Sequence, residues 1–325
     1  MTCDEDYLKS LQAAVDSVEY QMTNLEQGQI QEILKALSHE EQQALADQYM
    51  TLRHLRAEKG DVQKAIVALQ RTLKWRNEFQ VQDLKHCLHK HKPPPNVVGV
   101  EEEAEAEAEA DEAKEEKKDD GDNANSNNNK SKASSLDELA SVVRKENETG
   151  KLYIRGYDKD GRALLYMRPG KENTNDEEGN IRHLVYHMEK SIACSAKNGQ
   201  SKICIVIDYD GFSLRHAPPM STSKYTLDVL QKHYPERLHR AYICNPPWIF
   251  KGFWKVISPF VDPVTKQKLQ FCSSASDFEK VVHDMGGLEK ANQHLEECAG
   301  GTVKPSTDFD TNAYLSLPLD MSLAE

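Results

Sequence analysis

The stretch YPERLHRAYICNPPWIFKGFWKVISPFVDPVTKQKLQF, residues 234–271, opens and closes on short apolar runs, "RAYICNP" and "LQF", of the kind that form buried strands. Between them, residues 245–265 hold two of the chain's three tryptophans and three of its eight phenylalanines. On a helix, Trp248, Ile249, Phe250, Phe253, Trp254, Val256, Ile257 and Phe260 cover nearly the whole circumference, and Lys251, Lys255 and Ser258 form the polar part. A surface helix needs only one apolar stripe. Either this helix is buried on all sides, or one face lines an internal cavity while the other meets a bilayer. Tryptophan suits the headgroup level and lysine suits anionic lipid, which speaks for the second arrangement.

Working outward, "KICIVID" (202–208) is a third continuous apolar run, and helical segments separate the three. This is the pattern of an α/β domain with a largely parallel sheet. "KLYIRGYDKDGRALLYMRP" (151–169) reads as a hairpin turning at Asp160 and Gly161, followed by a long helix over about 175 to 198. Far upstream, residues 4–88 carry apolar positions at helical spacing, among them Leu52, Leu55, Val62, Ala65, Ile66, Leu69 and Leu73. In "KGDVQKA", Gly60 ends one helix and Asp61 caps the next. Four parts result: a helical region (1–91), an insert (92–134), an α/β domain (135–300) and a loosely ordered tail (301–325).

The chain has 325 residues and a formal charge of −12. Residues 101–122 alone carry nine Glu, four Asp and three Lys, or −10, so the rest sums to about −2. The acidity belongs to the insert and says nothing against contact between the folded part and anionic lipid. "EEEAEAEAEADEAKEEKKDDGDNANSNNNKSKASS" (101–135) is almost free of large apolar side chains and cannot repay the entropy of ordering, so it reads as a disordered spacer. Seven scattered cysteines without a Cys-x-x-Cys pair read as reduced thiols of the cytosol. The N-terminus shows no signal-peptide pattern, and no run of about 18 apolar residues occurs.

Few motifs carry catalytic chemistry. "DKDG" (158–161) and "DYDG" (208–211) start like calcium loops, but their twelfth positions are Pro169 and Pro219 where a bidentate Glu is needed. "HCLHKHK" (86–92) lacks companion ligands and reads as a solvated helix end. No phosphate loop, nucleophile elbow or nucleophile-base set is present, so the expectation is a non-enzyme.

Residues 234–271, together with "LRHLRAEKGDVQKAIVALQRTLKWR" (52–76) and "DKDGRALLY" (158–166), resemble the CRAL-TRIO lipid-binding family, yeast-type phosphatidylinositol transfer branch. Tyr-Pro-Glu-Arg followed by Asp-Pro-Val-Thr is the specific part. The resemblance implies a helical N-terminal bundle packed on an α/β lobe whose mixed, largely parallel sheet encloses a lipid pocket. It implies a gating segment built from Trp248, Phe250, Phe253, Trp254, Ile257 and Phe260 that opens at a membrane. It implies headgroup contacts from Glu236, Lys268, Thr265 and Lys59, with Arg237 either at the headgroup or tying a helix end to the sheet. The implied ligand is phosphatidylinositol, with a second hydrophobic lipid possible in the family. The implied protein is cytoplasmic, peripheral at membranes, and needs no cofactor, metal or nucleic acid. Two departures stand out. Glu58 replaces an arginine that precedes the Lys59 position. The polar positions of the family's choline-lipid subset become Ile203, Ile205, Ile154 and Leu165, with Tyr153 and Tyr166 one register away, which argues against a choline lipid.

Overall fold

The computed structural model describes residues 21–88, 123–272, 277, 281, 283–286 and 310–323, with the backbone alone at 123–134. The expected helix start near Asp4 and the acidic run 101–122 lie outside the described residues.

The N-terminal region is a small helical bundle. Helix α1 (Asn24–Ala36) and the short α2 (His39–Gln43) each begin with a capping box, Thr23 with Glu26 and Ser38 with Glu41. α3 (Met50–Ala57) and α4 (Val62–Glu78) follow, and Ile33, Leu37, Met50, Leu55, Leu69 and Leu73 bury one another between α1, α3 and α4. The α3–α4 break is the one that "KGD" announces. Lys59 and Gly60 take left-handed backbone (φ 56° and 85°), the Gly60 N–H donates to the Leu55 carbonyl at 2.9 Å, and Asp61 accepts from the Lys64 N–H.

α5 (Val81–His86) and α6 (Asn123–Glu146) lead into the larger lobe. α6 starts inside the stretch 92–134 that the sequence assigns to the insert. Leu139, Ala140 and Val143 anchor it in the main core, and once a helix is nucleated each added residue needs no new nucleus.

The lobe is a five-stranded sheet in the order β1-β2-β3-β4-β5. β1 (Leu152–Tyr157) and β2 (Ala163–Met167) form the antiparallel hairpin. Asp158 shapes its turn by accepting the N–H groups of Asp160 and Arg162 at 3.0 and 2.8 Å, and Gly161 has φ 92°. β3 (Ile203–Asp208), β4 (Leu238–Cys244) and β5 (Leu269–Cys272) continue in parallel. α7 (Glu177–Lys197) joins β2 to β3 and packs on β1, β2 and β3, and α8 (Met220–His233) joins β3 to β4. The β4–β5 crossover carries α9 (Phe250–Ile257), a 3-10 turn (Ser258–Phe260) and α10 (Pro263–Gln267).

Register decides the character of the faces. Ile154, Leu165, Ile205, Ala241 and Leu269 are consecutive partners across all five strands, and one pleat further come Leu152, Met167, Ile207, Ile243 and Phe271. Since alternate residues share a face, these are two apolar rows on one side. Tyr153 and Tyr166 lie on the other side, rings stacked at 5.0 Å.

Where the sequence shows no period after Gly300, the structure has a short helix, α11 (Thr311–Ser316), and a strap along β1. Tyr314 and Leu315 are buried. The Ile154 N–H donates to the Tyr314 hydroxyl at 3.0 Å, the Leu323 N–H donates to the Ile154 carbonyl at 3.1 Å, and the Gly156 N–H donates to Ser322 Oγ at 3.3 Å. Residues 314–323 thus cover the outer edge of the sheet. Isolated contacts, rather than a repeating stripe, hold them, so no period betrays them. Tyr314→Phe orphans the buried Ile154 N–H and should destabilise the fold by about 1 to 3 kcal/mol in urea unfolding; an unchanged midpoint would show that the strap does not hold the edge.

Candidate functional site

Of the alternatives that its composition leaves open, burial of this aromatic segment on all sides is excluded. Phe250 and Ile257 are buried, whereas Trp248 is 86% exposed, Phe260 51%, Val256 50% and Phe253 36%. One face is packed and the other is bare. The packed face meets aromatic rings from elsewhere: Phe250 lies 6.0 Å from Phe271 and 5.0 Å from Tyr209, and Trp254 lies 5.9 Å from Phe271. Phe271 ends the second apolar row of the sheet, so α9 rests on that row's β5 end. Tyr209, Phe212 and Phe271 escaped the sequence reading; the only signal was an aromatic next to each strand's last residues.

The charged candidates gather at the opposite end of the crossover. Glu236 precedes β4 and Lys268 precedes β5, and the Lys268 carbonyl accepts the Ala241 N–H at 2.9 Å. Lys268 Nζ stands 3.8 Å from Glu236 Oε2, with side chains 20% and 33% exposed. Glu236 takes left-handed backbone, φ 57°, which costs a non-glycine residue about 1 to 2 kcal/mol. Thr265 sits one turn before Lys268, its N–H on the Asp262 carboxylate at 3.1 Å. Lys59 is exposed at the end of α3, beside the half-buried Glu58, and no hydrogen bond or ion pair joins it to Glu236 or Lys268.

Arg237 points elsewhere. It is 8% exposed, donates to the Ser201 carbonyl at 2.8 Å, and pairs with Asp47 at 2.7 Å, which also pairs with Arg53 at 2.5 Å. Burial works against the Asp47 charge, yet Arg53 and Arg237 hold its carboxyl well below the usual range. Arg237 is therefore a tie between bundle and lobe. Asp47 stands just before α3, and from there α3 runs about 12 Å toward Lys59. Nearby, Thr72 Oγ1 donates to the Lys232 carbonyl at 3.0 Å and the Trp75 ring stacks on His233 at 4.1 Å. Glu189 joins the same seam: burial opposes its charge, but Arg76 at 2.7 Å and Lys85 at 3.6 Å hold it down at about 2. Sequence patterning did not mark these pairs, because their partners are distant along the chain.

Two clefts among the described residues lie away from the crossover. One, about 380 Å³, lies between α4 and α8 at Arg71, Trp75 and Tyr225, and the other, about 270 Å³, at Ser135, Glu138 and Arg182. Neither touches Glu236, Lys268 or α9. Among the described residues there is no cluster of three His, Cys, Asp or Glu that could hold a metal ion, and no helix long and apolar enough to cross a membrane.

Residues 147–286 match the family model of the CRAL/TRIO domain, and the chain carries that domain. Among curated proteins it is similar to the phosphatidylinositol transfer protein PDR17 of Saccharomyces cerevisiae, 40% identical over 137 residues (41% of this chain, 39% of that protein). It is also similar to the phosphatidylinositol transfer protein CSR1 of Eremothecium gossypii, 26% identical over 269 residues (81% of this chain, 50% of that protein). The chain thus spans half or less of the length of these relatives. The crystal structure of Sfh5 aligns over 97% of this chain and 96% of its own with a TM-score of 0.50 at 17% identity, a likeness of fold alone.

The seam between bundle and lobe makes stability depend on pH. His54 is 2% exposed, with its ring nitrogens at the Met50 carbonyl and Thr72 Oγ1. Burial, aided by Arg53, pushes its pKa down to about 4, although the Met50 carbonyl pulls the other way. Above about 6.5 the ring is neutral whether folded or not. Between about 6.5 and 4 the unfolded chain binds a proton that the folded one refuses, so stability falls as pH falls through that window. From pH 7 to 5 this one group should cost on the order of 1 to 2 kcal/mol. Urea titrations at both values should show a smaller loss in His54→Gln than in the parent protein, and equal losses would contradict the assignment.

Proposed function

We propose that this chain binds phosphatidylinositol beneath α9 and exchanges or presents it at membranes, with α9 as the gate. The observation that carries the reading is the single crossover from β4 to β5: one end lays an amphipathic aromatic helix on an apolar sheet face, and the other brings Glu236 and Lys268 together. The CRAL/TRIO domain at 147–286 and the likeness to two phosphatidylinositol transfer proteins support it.

The chemistry suits the two ends of such a lipid. At roughly 0.8 kcal/mol per buried methylene, drawing two acyl chains into water costs on the order of 20 kcal/mol or more, so a carrier must offer an equally apolar surface. The two rows from Ile154 to Leu269 and from Leu152 to Phe271 are such a surface. In water α9 must stay down. At a bilayer the exposed Phe253 and Val256 of α9, with Trp248 and Phe260 on its flanks, gain by insertion, and the balance shifts toward opening.

At the charged end, the Glu236–Lys268 pair is long and partly exposed, hence weak, on the order of 1 kcal/mol or less. A ligand can separate it cheaply. The Lys268 ammonium then meets the phosphate and the Glu236 carboxylate takes inositol hydroxyls, charge-assisted contacts of the stronger kind. Thr265 and Lys59 are secondary contacts in this reading, and Arg237 stays with Asp47. No catalytic step is involved.

The row Ile154, Leu165, Ile205, with Ile203 on the same face, offers no hydroxyl to a choline headgroup. A second ligand at this face is accordingly more hydrophobic than a choline lipid.

Transfer of labelled phosphatidylinositol between vesicles should fall about ten- to a hundredfold in Lys268→Ala with an unchanged melting temperature. Parent-level transfer in that variant would remove the headgroup assignment.

A further inference from the structure

α9 does not carry the only bare apolar side chains on its side of the lobe. Leu214 is 71% exposed and Met220 37%, both between β3 and the first turn of α8. This segment is held firmly. Ser213 and His216 cap the 3-10 turn that carries Leu214. Phe212 rests on Tyr209 at 5.4 Å and on His216 at 6.2 Å. Below it, Gly170 approaches so closely that a Cβ there would lie 2.4 Å from the Asp210 carbonyl oxygen. Leu214 is thus presented outward on a fixed platform rather than on a loose loop.

The platform is continuous with α9 at both ends. Tyr209 bridges Phe212 to Phe250, at 5.4 and 5.0 Å. At the other end the Lys224 ammonium sits 4.4 Å over the Phe260 ring, and Gln231 donates to the Phe260 carbonyl at 3.1 Å and accepts the Asp262 N–H at 2.8 Å. The charge around the joined surface is positive. Arg215 and Lys224 stand on the platform and Lys251, Lys255 and Lys266 on the neighbouring segment, whereas Asp262 already caps α10. This contrasts with a chain whose total is −12.

We propose that the segment from Leu214 to Lys224 is a second membrane-contact element, separate from α9, and that its partner is an anionic bilayer surface. Leu214 and Met220 enter the interface, and Arg215 and Lys224 meet lipid phosphates, at the depth where α9 inserts. An apolar side chain on a rigid mount loses little entropy on insertion, and basic residues beside it add attraction that salt weakens. The inference rests on the membrane role proposed for α9, but it assigns lipid-charge preference to residues outside the lipid-binding machinery.

The test is sedimentation of the full chain with phosphatidylcholine vesicles, with and without a phosphatidylserine fraction. Leu214→Asp combined with Met220→Asp should lower binding to the mixed vesicles at least about tenfold, a loss of about 1.4 kcal/mol, with the melting temperature unchanged. Lys224→Glu should lower it about fivefold on the mixed vesicles only, and added salt should erase that difference. Uptake of phosphatidylinositol from detergent micelles by the same variants separates the two claims. Normal uptake with lost sedimentation supports the second element, whereas no uptake even by the parent protein counts against the lipid reading itself. Parent-level sedimentation of the variants would overturn the inference. So would a concentration-dependent dimer of the parent that the double variant abolishes, which would give this face to a second copy of the chain.

Discussion

The lobe depends on one constraint of register. Side chains alternate strictly along a strand, so a slip of one residue in any pairing would turn an apolar row into the face that carries Tyr153, Tyr166 and Tyr242. Held in register, five strands present ten apolar residues on one side, from Leu152 and Ile154 to Leu269 and Phe271. Such a face cannot stand in water. Something must cover it, and at the β5 end the cover is a helix that is itself too greasy for solvent. The bare half of α9 follows from that arrangement, since a helix apolar over most of its circumference can bury only the side it turns inward.

The second structural demand is that the bundle hold the lobe. A charged seam does this: Asp47 between Arg53 and Arg237, and Glu189 between Arg76 and Lys85. Each carboxylate has more than one cation, so no charge is left buried alone, the condition under which buried pairs are tolerated. The Tyr234 hydroxyl donates to Glu189 at 2.8 Å and Trp75 packs edge-on to Tyr234 at 6.2 Å, which locks the start of the Tyr-Pro-Glu-Arg turn into the seam. Arg237 is spent there, while its neighbour Glu236 faces Lys268. Adjacent residues of one motif thus face different partners, Arg237 toward the bundle and Glu236 toward Lys268.

Much of this was legible in the residues. The hairpin at Asp160 and Gly161, the three apolar strands and the Gly60–Asp61 break are written in local turn chemistry and periodicity, and they stand where the sequence puts them. The meeting of Glu236 and Lys268 was legible only through the family resemblance, because no spacing rule joins positions before two different strands. Three things were not legible. The role of Arg237 depends on Asp47, far upstream in another region. The strap at 314–323 pairs through single contacts with β1. The aromatic partners of α9, Tyr209 and Phe271, look like ordinary strand-end residues until the crossover folds over them.

The proposed binding mode lays acyl chains against the inner face of α9. It is tested most directly by a variant that keeps only Trp254, through Trp75→Phe and Trp248→Phe, loaded from vesicles of phosphatidylinositol with brominated acyl chains and then separated from them. Bromine quenches indole emission only at contact range, so the account predicts dimmer Trp254 emission than after loading with the unbrominated lipid. Equal emission with lipid retained would place the chains elsewhere, and failure to retain any lipid would contradict the account outright.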